Sequence, residues 1–77
     1  MTAIELGRIV RLQRRESALR QDELAALAGV GTRFVSELEN GKPSLELGKV
    51  VRVLETVGLE ISVTKRRADW PSYHAKS

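Results

Sequence analysis

The chain has 77 residues, enough for one small domain, and a domain of that size buries roughly 60% of the surface its unfolded form exposes. It has no Cys, which excludes disulfides and thiolate metal sites, and its single His sits in a polar tail, where His74 is expected to be solvent-exposed filler. The formal charge of +3 is local: residues 1–64 hold nine Lys/Arg and nine Asp/Glu, whereas Lys65, Arg66, Arg67 and Lys76 against Asp69 supply the whole excess.

Thr2 precedes Glu5 by three residues, a capping-box spacing that opens a first helix over residues 3–17. Leu6, Ile9, Val10 and Gln13 form one face of it, with Leu12 flanking. Arg8, Arg11 and Arg15 recur around the rest, and a solvated helix surface is their expected place.

Ala18-Leu19-Arg20 leads into a second helix over residues 21–28, whose first turn carries Asp22 and Glu23 where the helix dipole favours negative charge. Leu24, Ala25, Leu27 and Ala28 give it an apolar stripe at helical spacing. Gly29 breaks that stripe where the chain must turn sharply, and Val30 packs at the turn. Gly31 or Thr32 starts a third helix, about residues 32–40, with Val35 and Leu38 inward and Asn40-Gly41 closing it in a left-handed cap. Thr32, Arg33, Ser36 and Glu37 share its outer face. Phe34 falls at the edge between faces, as a core residue or a contact to a partner subunit.

Ser44 is a good N-cap for a fourth helix over residues 45–57, with Leu47, Val50, Val51, Leu54 and Val57 as its buried stripe and Gly58 as its stop. Leu59 to Lys65 then alternates apolar and polar, which predicts a half-buried strand presenting Leu59, Ile61 and Val63. A lone strand leaves its backbone donors and acceptors without a ladder, so its simplest partner is the same strand of a second copy, in a twofold dimer. A thin core makes oligomerisation a further source of stability. The tail, residues 66–77, has no periodicity; its Trp70 and Tyr73 either anchor a partner or fold back on their own domain. The expected organisation is residues 1–58 as the helical domain, 59–65 as the dimerisation strand and 66–77 as a flexible basic tail.

Two short helices joined by a tight turn at Gln21–Lys42 form a helix-turn-helix, whose second helix is shaped to lie in a DNA major groove. Its outer residues carry suitable chemistry. Arg33 can fork onto guanine O6 and N7, and Thr32 and Ser36 can serve several bases or a thymine methyl. Glu37 either accepts from a cytosine amine or pairs with Arg33 one turn back. Gln21, at the start of the second helix, and Asn40 and Lys42, past the end of the third, are placed for phosphates. A plain helical hairpin without function is the bland alternative.

Other functions lack their residues. No nucleophile–base set exists, so no enzyme is expected, and no metal or cofactor either. Gly29-Val30-Gly31 lacks the preceding strand and the following Lys-Ser/Thr of a phosphate loop. No apolar run approaches the roughly 18 residues of a membrane span and no signal-peptide pattern is present, so the cytoplasm is the expected compartment.

The stretch LGRIVRLQRRESALRQDELAALAGVGTRFVSELENGK resembles the Cro/C1-type helix-turn-helix family of phage repressors and bacterial regulators. Its telling pieces are Arg14, Gln21-x-x-Leu24-Ala25, Ala28-Gly29-Val30 and Leu38-Glu39-Asn40-Gly41-Lys42. The resemblance implies an all-α, compact four-helix, lambda-repressor-like domain. It also implies an ion pair between Arg14 and Glu39, phosphate contacts at Gln21, Asn40 and Lys42, and base contacts at Thr32, Arg33, Ser36 and Glu37. FVSELENGKPSLELGKVVRVLETVGLEISV is most similar to the HipB-like antitoxins, which implies a homodimer on palindromic operator DNA, repression of its own operon, and a HipA-like kinase toxin as partner. Trp70 and Tyr73 would then be toxin contacts. A stand-alone repressor, or an interaction module that has lost DNA binding, are the alternatives. The chain departs from the family at Ala18-Leu19-Arg20, where Gly followed by Ser or Thr is usual. Arg20 has no oxygen for an N-cap, a loss of about 1 kcal/mol against Ser or Thr.

Overall fold

The computed structural model describes residues 1–65. The expectations placed on the tail, Trp70, Tyr73 and His74 among them, lie outside the described residues. Four helices follow one another: α1 (Ala3–Glu16), α2 (Gln21–Ala28), α3 (Thr32–Glu39) and α4 (Leu47–Thr56). α3 packs against both α1 and α2, and α4 packs against α2.

Local chemistry sets the helix starts. Thr2 and Glu5 form the reciprocal box at α1, with the Glu5 amide donating to Thr2 Oγ1 at 3.1 Å and the Thr2 amide to Glu5 Oε1 at 3.0 Å. At α2 the side chain of Arg20 caps nothing. Its duties fall to two acids: Glu23 Oε1 accepts from the Arg20 amide at 2.8 Å, and Asp22 Oδ1 from the Glu23 amide at 2.9 Å. α4 begins later than its sequence suggests. Leu45 is drawn against the core while still outside the helix, so Ser44 is not the cap and Glu46 stands in the N-cap position without a side-chain bond.

All four helices stop by one device. The amides of Leu19, Val30, Lys42 and Leu59 bond back to the carbonyls of Arg14, Ala25, Glu37 and Leu54 at 3.2, 3.0, 3.0 and 2.8 Å. That closure needs a left-handed residue just before each donor. Three of those residues are glycines; the fourth is Ala18, the only non-glycine among the described residues at positive φ, +57°. Its methyl crowds the following carbonyl there, at a cost of about 1–2 kcal/mol.

Val10, Leu24, Ala25, Ala28, Val35, Leu38, Val50, Val53, Leu54 and Val57 form the core, with Leu6, Leu19, Val30, Phe34, Leu45 and Leu59 packed around it. Two stripes differ from their sequence reading. Leu27 is 67% exposed, because α2 turns Leu24, Ala25 and Ala28 inward and leaves no room for a fourth. On α4 the buried set is Val50, Val53, Leu54 and Val57, an i, i+3, i+4, i+7 stripe, so Leu47 is exposed and Val53 takes the place expected for it.

The strand expected over 59–65 is not formed: among the described residues all regular structure is helical. A strand is defined by its ladder, and among the described residues no second extended segment runs beside this one. Leu59 packs on the core, whereas Ile61 and Val63 are 50% and 92% exposed.

Gly7 decides how closely α1 meets α3. A Cβ on Gly7 would fall 2.7 Å from the carbonyl oxygen of Glu39 and nearer still to that of Leu38. Two outcomes follow for thermal unfolding followed by circular dichroism. Gly7→Ala destabilises by about 1–3 kcal/mol, because backbone cannot yield as a side chain would. Ala18→Gly stabilises by about 1 kcal/mol, raising Tm by roughly 4–8 °C.

Candidate nucleic-acid interface

The base of α3 is held by a buried carboxylate. Glu39 is 4% exposed. Its Oε2 accepts from Arg14 Nε at 2.6 Å and its Oε1 from Arg14 Nη2 at 3.0 Å, a two-pronged pair. Gln21 Nε2, from the first residue of α2, donates to the same Oε1 at 3.1 Å. Arg14 spends a further donor on the Leu19 carbonyl at 2.7 Å, so it also fastens the α1–α2 turn. Among the described residues no buried side-chain nitrogen or oxygen lacks a partner. Burial pushes the Glu39 carboxyl up, but the hydrogen bonds from Arg14 and Gln21 outweigh it and hold the group below its ordinary value.

Beyond that anchor lies the outward face of α3. Arg33, Ser36, Glu37 and Asn40 follow at i, i+3, i+4 and i+7, one side of a helix. The Arg33 side chain is 91% exposed, and Thr32 at the helix start is exposed too. Glu37 Oε2 takes two cations at once, Arg33 Nε at 3.4 Å and Lys42 Nζ at 3.3 Å. The hydrogen bond from Lys42 is the foremost cause that sets the Glu37 carboxyl below the usual range. Asn40 Nδ2 donates to the Ser36 carbonyl at 2.9 Å, which holds its amide against the end of the helix.

The residues assigned from sequence therefore gather in two groups. Gln21 and Asn40 lie by the Glu39 anchor, and Lys42 lies with Arg33 and Glu37. Arg11, assigned to a solvated surface, instead reaches Glu39 Oε1 and Asn40 Oδ1, each at 3.5 Å. Its spacing of three residues from Arg14 was the available signal, since both then lie on neighbouring turns over α3. Phe34 is half-buried against the core, with Lys49 Nζ 6.0 Å from its ring centre.

A short helix, a left-handed glycine turn and a second helix with a polar outward face are the defining parts of a helix-turn-helix. Comparison with known proteins agrees: the family described as helix-turn-helix domain matches residues 5–68, and the chain belongs to it. Over 62 residues it is 52% identical to an uncharacterized HTH-type transcriptional regulator, y4mF, of Sinorhizobium fredii, a match that covers 80% of this chain and 82% of that one.

The anchor makes a prediction about acid. A carboxyl whose pKa is lower folded than unfolded stabilises the fold fully above its unfolded value, and that contribution is lost as pH falls through the folded one. Stability of the wild type should therefore fall on acidification below the ordinary carboxylate value of 4.5, and Glu39→Gln should flatten that limb in denaturant titrations. At neutral pH, Glu39→Ala leaves Arg14 buried without its partner and should cost about 3–5 kcal/mol.

Proposed function

We propose that the chain is a sequence-specific DNA-binding transcriptional repressor that acts as a homodimer on palindromic operator DNA in the cytoplasm. The observation that carries this reading is the contrast along α3. Its inner end is locked by a buried carboxylate to α1 and α2, while Arg33 on its outer face is 91% exposed. A helix held rigidly with a forked donor pointing outward suits a groove, and solubility alone does not require it. The relative named as a transcriptional regulator supports the same reading.

In this reading Arg33, Thr32 and Ser36 meet base edges, and Glu37 shares their face. Gln21, Asn40 and Lys42 fix the register through phosphates, which supply affinity without sequence information. Residues 1–64 are neutral in sum, so affinity depends on this local placement.

The dimer reading is supported by apolar surface. An open cleft of about 400 Å³ is lined by Met1, Leu6, Ile9, Leu54, Leu59 and Ile61, and Val63, further along the same segment, is exposed. Pairing of residues 59–65 with the same segment of a second copy would cover those side chains and supply the missing ladder. Two copies related by a twofold axis would read half-sites about one helical turn apart.

The reading extends to an antitoxin that represses its own operon and neutralises a HipA-like kinase toxin. What supports it is the resemblance of residues 34–63 to HipB-like proteins, together with Trp70 and Tyr73 in the tail.

Three measurements test these claims. In a binding-site selection, Arg33→Ala should lose about 1–3 kcal/mol on the preferred duplex and relax one base position, whereas Lys42→Ala should weaken all sequences alike and reduce the salt slope by about one. Ile61→Asp with Val63→Asp should sediment as a monomer where the wild type sediments as a dimer. Removing residues 66–77 should leave operator binding intact; the antitoxin claim fails if the shortened chain still neutralises a co-expressed toxin.

A further inference from the structure

We infer that Glu37 is an internal competitor for DNA, a carboxylate that occupies Arg33 and Lys42 in the free protein and so raises the discrimination of the interface. The inference rests on the DNA-binding reading above and assigns to one residue of that face a role opposite to attraction.

The geometry is specific. One oxygen, Glu37 Oε2, receives both Arg33 Nε at 3.4 Å and Lys42 Nζ at 3.3 Å. The Glu37 side chain is 28% exposed, against 91% for Arg33 and 45% for Lys42, so the anion is the better-seated member and the cations come to it. Arg33 lies one turn before Glu37, and Lys42 lies just past the end of the helix. The carboxylate thus stands between the residue suited to a base edge and the residue suited to a phosphate.

On a poorly matched duplex the chain can gain only phosphate contacts. Lys42 must then leave its carboxylate to make one, and the partly uncovered Glu37 faces a groove edge rich in acceptors, namely guanine O6 and N7, adenine N7 and thymine O4. Both effects oppose binding. On a matched duplex guanine takes the fork of Arg33, and a cytosine amine can take the carboxylate, so the displaced charges find new partners. A carboxylate left unpaired on wrong sequences but partnered on right ones widens the affinity difference between them. A simple base reader would add affinity only on the matched site.

Glu37→Gln keeps the shape and removes the charge, and Glu37→Ala removes both. Each is measured by fluorescence anisotropy across a salt series, on the best duplex recovered from a randomised pool and on poly(dA-dT), which holds neither guanine nor cytosine. The competitor role requires both variants to bind poly(dA-dT) roughly three- to tenfold tighter than wild type, with a salt slope steeper by up to about one, and to show a smaller ratio between the two duplexes. Weaker binding to the selected duplex with poly(dA-dT) unchanged would make Glu37 a plain base reader and overturn the inference. No change on either duplex would reduce it to a surface ion pair and overturn it as well. A wild-type chain that binds neither duplex refutes the DNA-binding reading itself, an outcome separable from the other two.

Discussion

A single buried carboxylate organises this molecule. Removing a charge from water is expensive unless hydrogen bonds replace the lost hydration, and Glu39 obtains its replacements from two other elements: Arg14 of α1 and Gln21 of α2. The bonds are short and directional, so they fix the end of α3 more tightly than apolar packing, which has no preferred direction. Gly7 supports the same joint from the other side, because only a residue without Cβ lets α1 lie on the carbonyls of Leu38 and Glu39. α3 therefore inherits its orientation from a polar knot beneath it.

That knot separates support from contact. Every buried polar group is satisfied at the inner end, and the outer end carries the exposed forked donor of Arg33. Gln21 belongs to both, since its side chain is bound to Glu39 while its backbone begins α2. A change at Glu39 would reach the outer face indirectly, through the tilt of α3 and the position of Gln21. Charges on the outer face act at a different level: Glu37, Arg33 and Lys42 pair where solvent screens them, so their pairing contributes little to stability.

The apolar surface follows a different logic. A domain of this size cannot bury all of its aliphatic side chains, and a scattered exposed leucine such as Leu27 or Leu47 is ordinary. Met1, Ile9 and Ile61 are a different case, because they border one cleft beside a segment that pairs with no other strand among the described residues. Grouped exposure of that kind carries information about association that isolated exposure does not.

Much of the fold was legible in the residues. Thr2 with Glu5, the positions of Gly29, Gly41 and Gly58, and the apolar spacing of α2 and α3 marked the helices, because caps and left-handed stops are decided by a few neighbouring residues. Ala18 stood out in the sequence only as a departure from the usual Gly, and its left-handed φ is a finding of the structure. Less legible was which face of α4 turns inward, since Val50, Val51, Val53 and Leu54 offer two overlapping stripes and only docking against α2 selects one. Leu27, Leu45 and Arg11 were misplaced on the same grounds: each is settled by what another helix leaves open. Local sequence determined where the helices begin and end and which residues line the outer face of α3. Only the tertiary structure decided which side of each helix is buried and that Arg11 joins Arg14 on Glu39, because those outcomes depend on distances between segments far apart in the chain.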